Sequence, residues 1–149
     1  MKKYYSRSIN VPESANNLGF HYKTQFNYDK AVHYWKLAYD MGSVSAAHNL
    51  GDHYYHNKSY DLMMEYLLES INRGSYGGAS LLGTYFYREN DMEQAKIYYN
   101  ISVNLGNVNS HIKIAMCYLH EFNAYLAGQE VVKYIISKKV IWFDYNQFV

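Results

Sequence analysis

Gly42-Ser43-Val44-Ser45-Ala46-Ala47-His48-Asn49-Leu50-Gly51-Asp52-His53-Tyr54 is the stretch that decides the fold. Counted from its first glycine, a small residue stands at +4, and Leu, Gly and Tyr stand at +8, +9 and +12. Gly74 with Gly78, Leu82, Gly83 and Phe86 repeats the pattern, and Gly106 with Ser110, Ile114, Ala115 and Tyr118 repeats it more loosely. Upstream, Leu18, Gly19 and Tyr22 carry its second half. Each copy begins 32 residues after the last. A short fixed period carrying helical apolar spacing predicts an all-α, right-handed solenoid of about four helix-turn-helix units.

Each unit reads as two helices, A and B. Ala15, Leu18, Gly19 and Tyr22 lie at i, i+3, i+4 and i+7, one stripe of an A helix; Ala31, Trp35, Ala38 and Tyr39 form the matching stripe of a B helix. Asn27 is placed to cap the B helix, Gly42 to close it in a left-handed conformation, and Ser43 or Ser45 to cap the next A helix. The units span about 13–43, 44–75, 76–107 and 108–137, after an N-terminal arm over 1–12. Gly19, Gly51 and Gly83 sit in mid-helix, where glycine costs up to about 1 kcal/mol relative to Ala. The recurrence predicts close approach to the partner helix, with the aromatic one turn later filling the space beside it. Residues 138–149, aromatic and β-prone without helical spacing, are expected to form an extended tail. It either caps the last helix or docks on another subunit.

Composition narrows the function classes. The 149 residues suit one domain with a sizeable core, and 14 basic against 13 acidic residues leave no electrostatic footprint for nucleic acid or anionic membrane. No stretch approaches the roughly 20 apolar residues of a spanning helix, and the basic N-terminus lacks the apolar run of a signal peptide. The single cysteine, Cys117, excludes an internal disulfide and fits a reducing, cytoplasmic compartment. The 19 tyrosines suggest either an aromatic binding surface or the codon usage of an AT-rich genome. The second fits better, because many of them fall on repeat positions expected to be buried.

The units resemble Sel1-like repeats, a branch of the tetratricopeptide (TPR) superfamily. The resemblance rests on the Gly42–Tyr54 pattern and on Asp29-Lys30-Ala31-Val32-His33-Tyr34-Trp35-Lys36-Leu37-Ala38 in helix B, and covers about residues 13–137. Tyr22 to Ala31 is only nine steps, which is TPR spacing, so the turn inside each unit is tighter than in Sel1-like repeats. The family implies a non-catalytic scaffold or adaptor binding a protein or peptide along a concave wall of A helices. By register, that wall takes Asn16, Phe20 and Lys23 from unit one and His48, Asp52, Tyr55 and His56 from unit two. Units three and four supply Ser80, Thr84, Tyr87 and Arg88, then Ile112, Met116, Leu119 and His120. The Lys/Asn set with which some TPR domains grip a peptide C-terminus is not reproduced.

Other chemistries find little support. No nucleophile elbow, P-loop lysine, zinc-protease helix or dinucleotide turn is present, so neither catalytic residue nor cofactor is expected. Cys117 lies between Met116 and Tyr118 on an A helix, where a packed thiol is expected. His53 and His56 are three apart, but His48 and Asp52 lie about 100 degrees or more round the helix from His53, so no metal site is expected. The alternative to an adaptor is a structural subunit that self-associates through its tail and end helices.

Overall fold

Two kinds of turn divide the chain, and both are the same hydrogen-bonded motif. In the computed structural model the backbone is described for residues 11–146 and the side chains for 11–138. The described residues form eight helices and no strand: α1 Pro12–Thr24, α2 Tyr28–Asp40, α3 Val44–His56, α4 Tyr60–Asn72, α5 Tyr76–Arg88, α6 Met92–Asn104, α7 Ser110–His120 and α8 Ala124–Asn146. Odd-numbered helices are the A helices and even-numbered ones the B helices.

Each B-to-A turn is closed by a glycine at positive φ: 90° at Gly42, 91° at Gly74 and 102° at Gly106. The Gly42 amide donates to Tyr39 O and the Ser43 amide to Ala38 O at 2.9 Å, the paired bonds that satisfy the last carbonyls of a helix. The A-to-B turns carry the same bonds, such as Asn27 N to Tyr22 O, but put Phe26, Lys58, Asn90 and Phe122 at φ 57–64°. These four residues recur at 32-residue steps, as do the starts of α2, α4, α6 and α8. Helix α7 departs from the step because Val108 and Asn109 are taken into its preceding turn. Asn27 Oδ1 accepts from Lys30 N and Ser43 Oγ from Ala46 N, both at 3.2 Å, so Ser43 rather than Ser45 caps α3.

Left-handed backbone strains a bulky side chain, and Phe122 is 97% exposed, with no packing to offset the strain. Phe122→Asn is therefore expected to stabilise the protein by about 1 kcal/mol. A urea midpoint that stays put or falls would contradict this.

The chain divides into two compact units, residues 1–78 and 79–149. In the first, Ala15, Ala31, Trp35, Ala38, Ala46 and Leu50 form the core, flanked by half-buried Tyr22, Tyr39, Tyr54 and Tyr66. In the second, the core is Met92, Ala95, Tyr99, Ile114 and Cys117, flanked by Phe86, Tyr87, Val103 and Tyr118. The mid-helix glycines are holes for these cores. A Cβ at Gly19 would fall on the Trp35 ring, one at Gly51 on the end of Leu67, and one at Gly83 on the Tyr99 ring. What comes too close is thus the side chain 16 residues later, not the partner backbone. The following aromatic stacks on the B helix: Tyr22 on Tyr34, Tyr54 on Tyr66 and Phe86 on Tyr98, with centroids 5.4, 5.5 and 5.4 Å apart.

The last repeat breaks this pattern. Ala115 replaces the glycine, and Glu130 stands where Tyr34, Tyr66 and Tyr98 stack in the earlier units. The extended tail expected after Ser137 is corrected: α8 continues without interruption to Asn146. No glycine follows Ser137 to supply a left-handed stop, and β-propensity is too weak to end a helix by itself. The capping or docking role expected of 138–149 rests, beyond Lys138, on side chains outside the described residues. Among the described residues, no helix is long and apolar enough to cross a membrane.

Candidate A-helix recognition surface

Within the first unit, α1 and α3 lie side by side and are joined through their polar faces. Asn49 Nδ2 donates to Asn16 Oδ1 at 2.8 Å. Lys23 Nζ pairs with Asp52 Oδ2 at 3.0 Å, and His56 Nε2 lies 3.4 Å from Asp52 Oδ1. The Lys23 ammonium is also 5.8 Å from the centroid of Trp35. Three of the expected groove residues, Lys23, Asp52 and His56, therefore meet at one carboxylate, which Lys23 engages as an ion pair. Such a partly exposed pair contributes about 0–1 kcal/mol, so a ligand can displace it at little cost.

The other expected residues of this unit differ in access. Phe20 is 54% exposed, Tyr55 is half-buried with its ring beside His56, and His48 is half-buried. His48 Nδ1 is enclosed without a hydrogen-bond partner. Burial holds the His48 pKa below the ordinary value; Asp52 opposes this and Lys23 adds to it. Burial lowers His53 too, and its Nε2 is within 2.9 Å of Asn57 Nδ2. His53 and His56 thus have different partners, and among the described residues no three metal-ligating groups converge.

Within the second unit, α5 and α7 are joined at the same register. Lys113 Nζ donates to Ser80 Oγ at 2.9 Å, the pair equivalent to Asn49 and Asn16, and to Thr84 Oγ1 at 3.2 Å. Tyr99 OH also donates to Thr84 Oγ1, at 3.2 Å. Thr84, Tyr87, Arg88, Tyr99, Lys113 and Met116 line a cavity of about 270 Å³. Four of them, Thr84, Tyr87, Arg88 and Met116, are expected groove residues, brought together here by the fold. Tyr87 packs edge-on against His120, at 6.1 Å between centroids, while Met116 and Leu119 are 48% and 57% exposed.

Lys113 is the residue that sequence reasoning missed. Its signal was present: it is the only Lys, Arg, Asp or Glu in α7. Cys117, by contrast, is buried, and burial pushes its thiol up to about 11. It stays protonated at neutral pH, unsuited to nucleophilic attack.

No protein-family model matches the sequence, and no curated protein matches it. Solved structures do match. The crystal structure of MamA, a TPR-like protein, aligns over 93% of this chain and 84% of its own, with a TM-score of 0.70 and 17% identity. The crystal structure of a Sel1 repeat protein from Oxalobacter formigenes aligns over 91% of this chain and 62% of its own, with a TM-score of 0.73 and 14% identity. At such identities the likeness speaks of fold alone, and that fold is an all-α solenoid of Sel1/TPR-like repeats.

Proposed function

We propose that the protein is a non-catalytic interaction scaffold or adaptor that binds a protein or peptide through the exposed faces of its A helices. The observation that carries this reading is the clustering of Thr84, Tyr87, Arg88 and Met116 around one cavity on α5 and α7. Aromatic, Met and Arg side chains at a concave site are the residue types that anchor interfaces. The repeat fold agrees with it, since stacked helix pairs present extended surfaces to partners. Phe20 and Tyr55 supply rigid aromatics on the first unit.

A random 12-residue peptide library selected on the full chain tests the reading. Tyr55→Ala and Tyr87→Ala are each expected to weaken the selected peptides about tenfold or more, as hot-spot truncations do. Affinities unchanged in both variants would remove this surface from consideration.

A further inference from the structure

Lys113 projects from an otherwise uncharged stretch of α7 onto α5. Two of its N–H groups are taken by the neutral hydroxyls of Ser80 and Thr84, and its ammonium lies 5.2 Å from the Tyr99 ring centroid. Among the described residues no carboxylate pairs with it, unlike Lys23, Lys96 and Lys133, which all have one. Burial, with no opposing charge, holds its pKa below the ordinary lysine value. A half-buried cation held by hydroxyls and a ring face is left without the counter-charge that stabilises such groups best.

The lining of the cavity states the chemistry of the missing group. Its polar side chains are those of Thr84, Tyr87, Arg88, Tyr99 and Lys113: two cations and three hydroxyls, with no amide or carboxylate oxygen. Met116, 48% exposed, and the Tyr87 ring provide apolar wall. A backbone terminus would bring an amide N–H beside its carboxylate, for which the lining side chains offer only hydroxyl acceptors, and Thr84 Oγ1 already accepts from Lys113 and Tyr99. An acidic side chain brings only methylenes. Resting on the A-helix reading above, we propose that the cavity takes the side-chain carboxylate of a Glu or Asp in a bound segment, paired with Lys113, while an apolar neighbour of that residue packs on Met116 and Tyr87.

The test uses the full chain with ¹³C-labelled lysine and methionine, and three soluble probes. These are acetyl-Leu-Glu-Leu-amide, its Gln counterpart, and acetyl-Leu-Ala-Leu with a free C-terminus. The Glu peptide is expected to shift the Lys113 ε-methylene and Met116 methyl signals, and to bind about tenfold or more tighter than the Gln peptide. Lys113→Met should erase that preference and Lys113→Arg should keep part of it. Because the comparison stands on the unaltered chain, a poorly folded variant does not shelter the proposal. Glu and Gln peptides that shift Met116 with equal affinity would overturn the carboxylate pocket and leave A-helix binding standing. A free-terminus peptide binding more tightly than the Glu peptide would overturn the assignment to a side chain. Probes that shift neither Lys113 nor Met116 would overturn the pocket, and A-helix recognition fails separately only if library-selected peptides also ignore Tyr55 and Tyr87.

Discussion

Replacing Trp35 with alanine is expected to cost about 3–5 kcal/mol, among the largest losses any single position can give. Trp35 is fully buried and fills the hole left by Gly19 in α1. The sharper expectation concerns Gly19→Ala in two backgrounds. With Trp35 present, the added Cβ strikes a rigid indole, and overpacking of about 1–3 kcal/mol outweighs the gain of up to about 1 kcal/mol from helix propensity. With Trp35→Ala, the hole is vacant and Gly19→Ala should stabilise by about 0.5–1 kcal/mol. The effect of one methyl group therefore changes sign. Urea unfolding of the four proteins measures it as a double-mutant cycle, and an identical Gly19→Ala effect in both backgrounds would disprove the hole-and-knob account.

Glu130→Gln is expected to cost about 1.5–3 kcal/mol at neutral pH, the range for hydrogen bonds to a charged group. Glu130 is 7% exposed; its Oε2 lies 2.7 Å from His111 Nδ1 and its Oε1 2.6 Å from Lys133 Nζ. Burial alone pushes its carboxyl pKa up, but the hydrogen bonds from Lys133 and His111 outweigh burial and hold it below the ordinary glutamate value. A depressed folded-state pKa stabilises above the unfolded value, and that stabilisation is lost as pH falls through the folded one. The gap between wild type and Glu130→Gln should thus be full at pH 7 and shrink below about pH 4.3. A gap constant from pH 7 to pH 3 would mean that the charge contributes nothing.

These two sites also show what the sequence made legible. The B-helix ends were readable because glycine takes a positive φ at the least steric cost, and Gly42, Gly74 and Gly106 recur at one step. The Gly19 stripe was readable too, but its pairing with Trp35 was not. A stripe says which face is buried and leaves open which side chain enters it. The last repeat was least legible. There Glu130 trades aromatic stacking for a hydrogen bond with His111 and an ion pair with Lys133, and α8 runs to Asn146 past the expected end. With Ala115 at the glycine position and Glu130 at the stacking-tyrosine position, the packing code that defines the other repeats is not there to be read.

The candidate surface was legible in position and opaque in connection. Thr84, Tyr87, Arg88 and Met116, picked out by register, line one cavity. Register did not indicate that Lys23 reaches Asp52, because a pair 29 residues apart follows no local spacing; only the i,i+4 contact of Asp52 with His56 does. Lys113 escaped because it lies one residue beyond the groove position at Ile112, where the equivalent Asn49 makes a structural bond to Asn16.

The most direct test of A-helix recognition is a map of bound peptide on the full chain, by amide and methyl shift changes with a library-selected 12-residue peptide. The account predicts changes concentrated on the exposed faces of α1, α3, α5 and α7, at Phe20, Tyr55, Tyr87 and Met116. Changes confined to the B helices, around the exposed Leu62, Leu68 and Ile97, would contradict it.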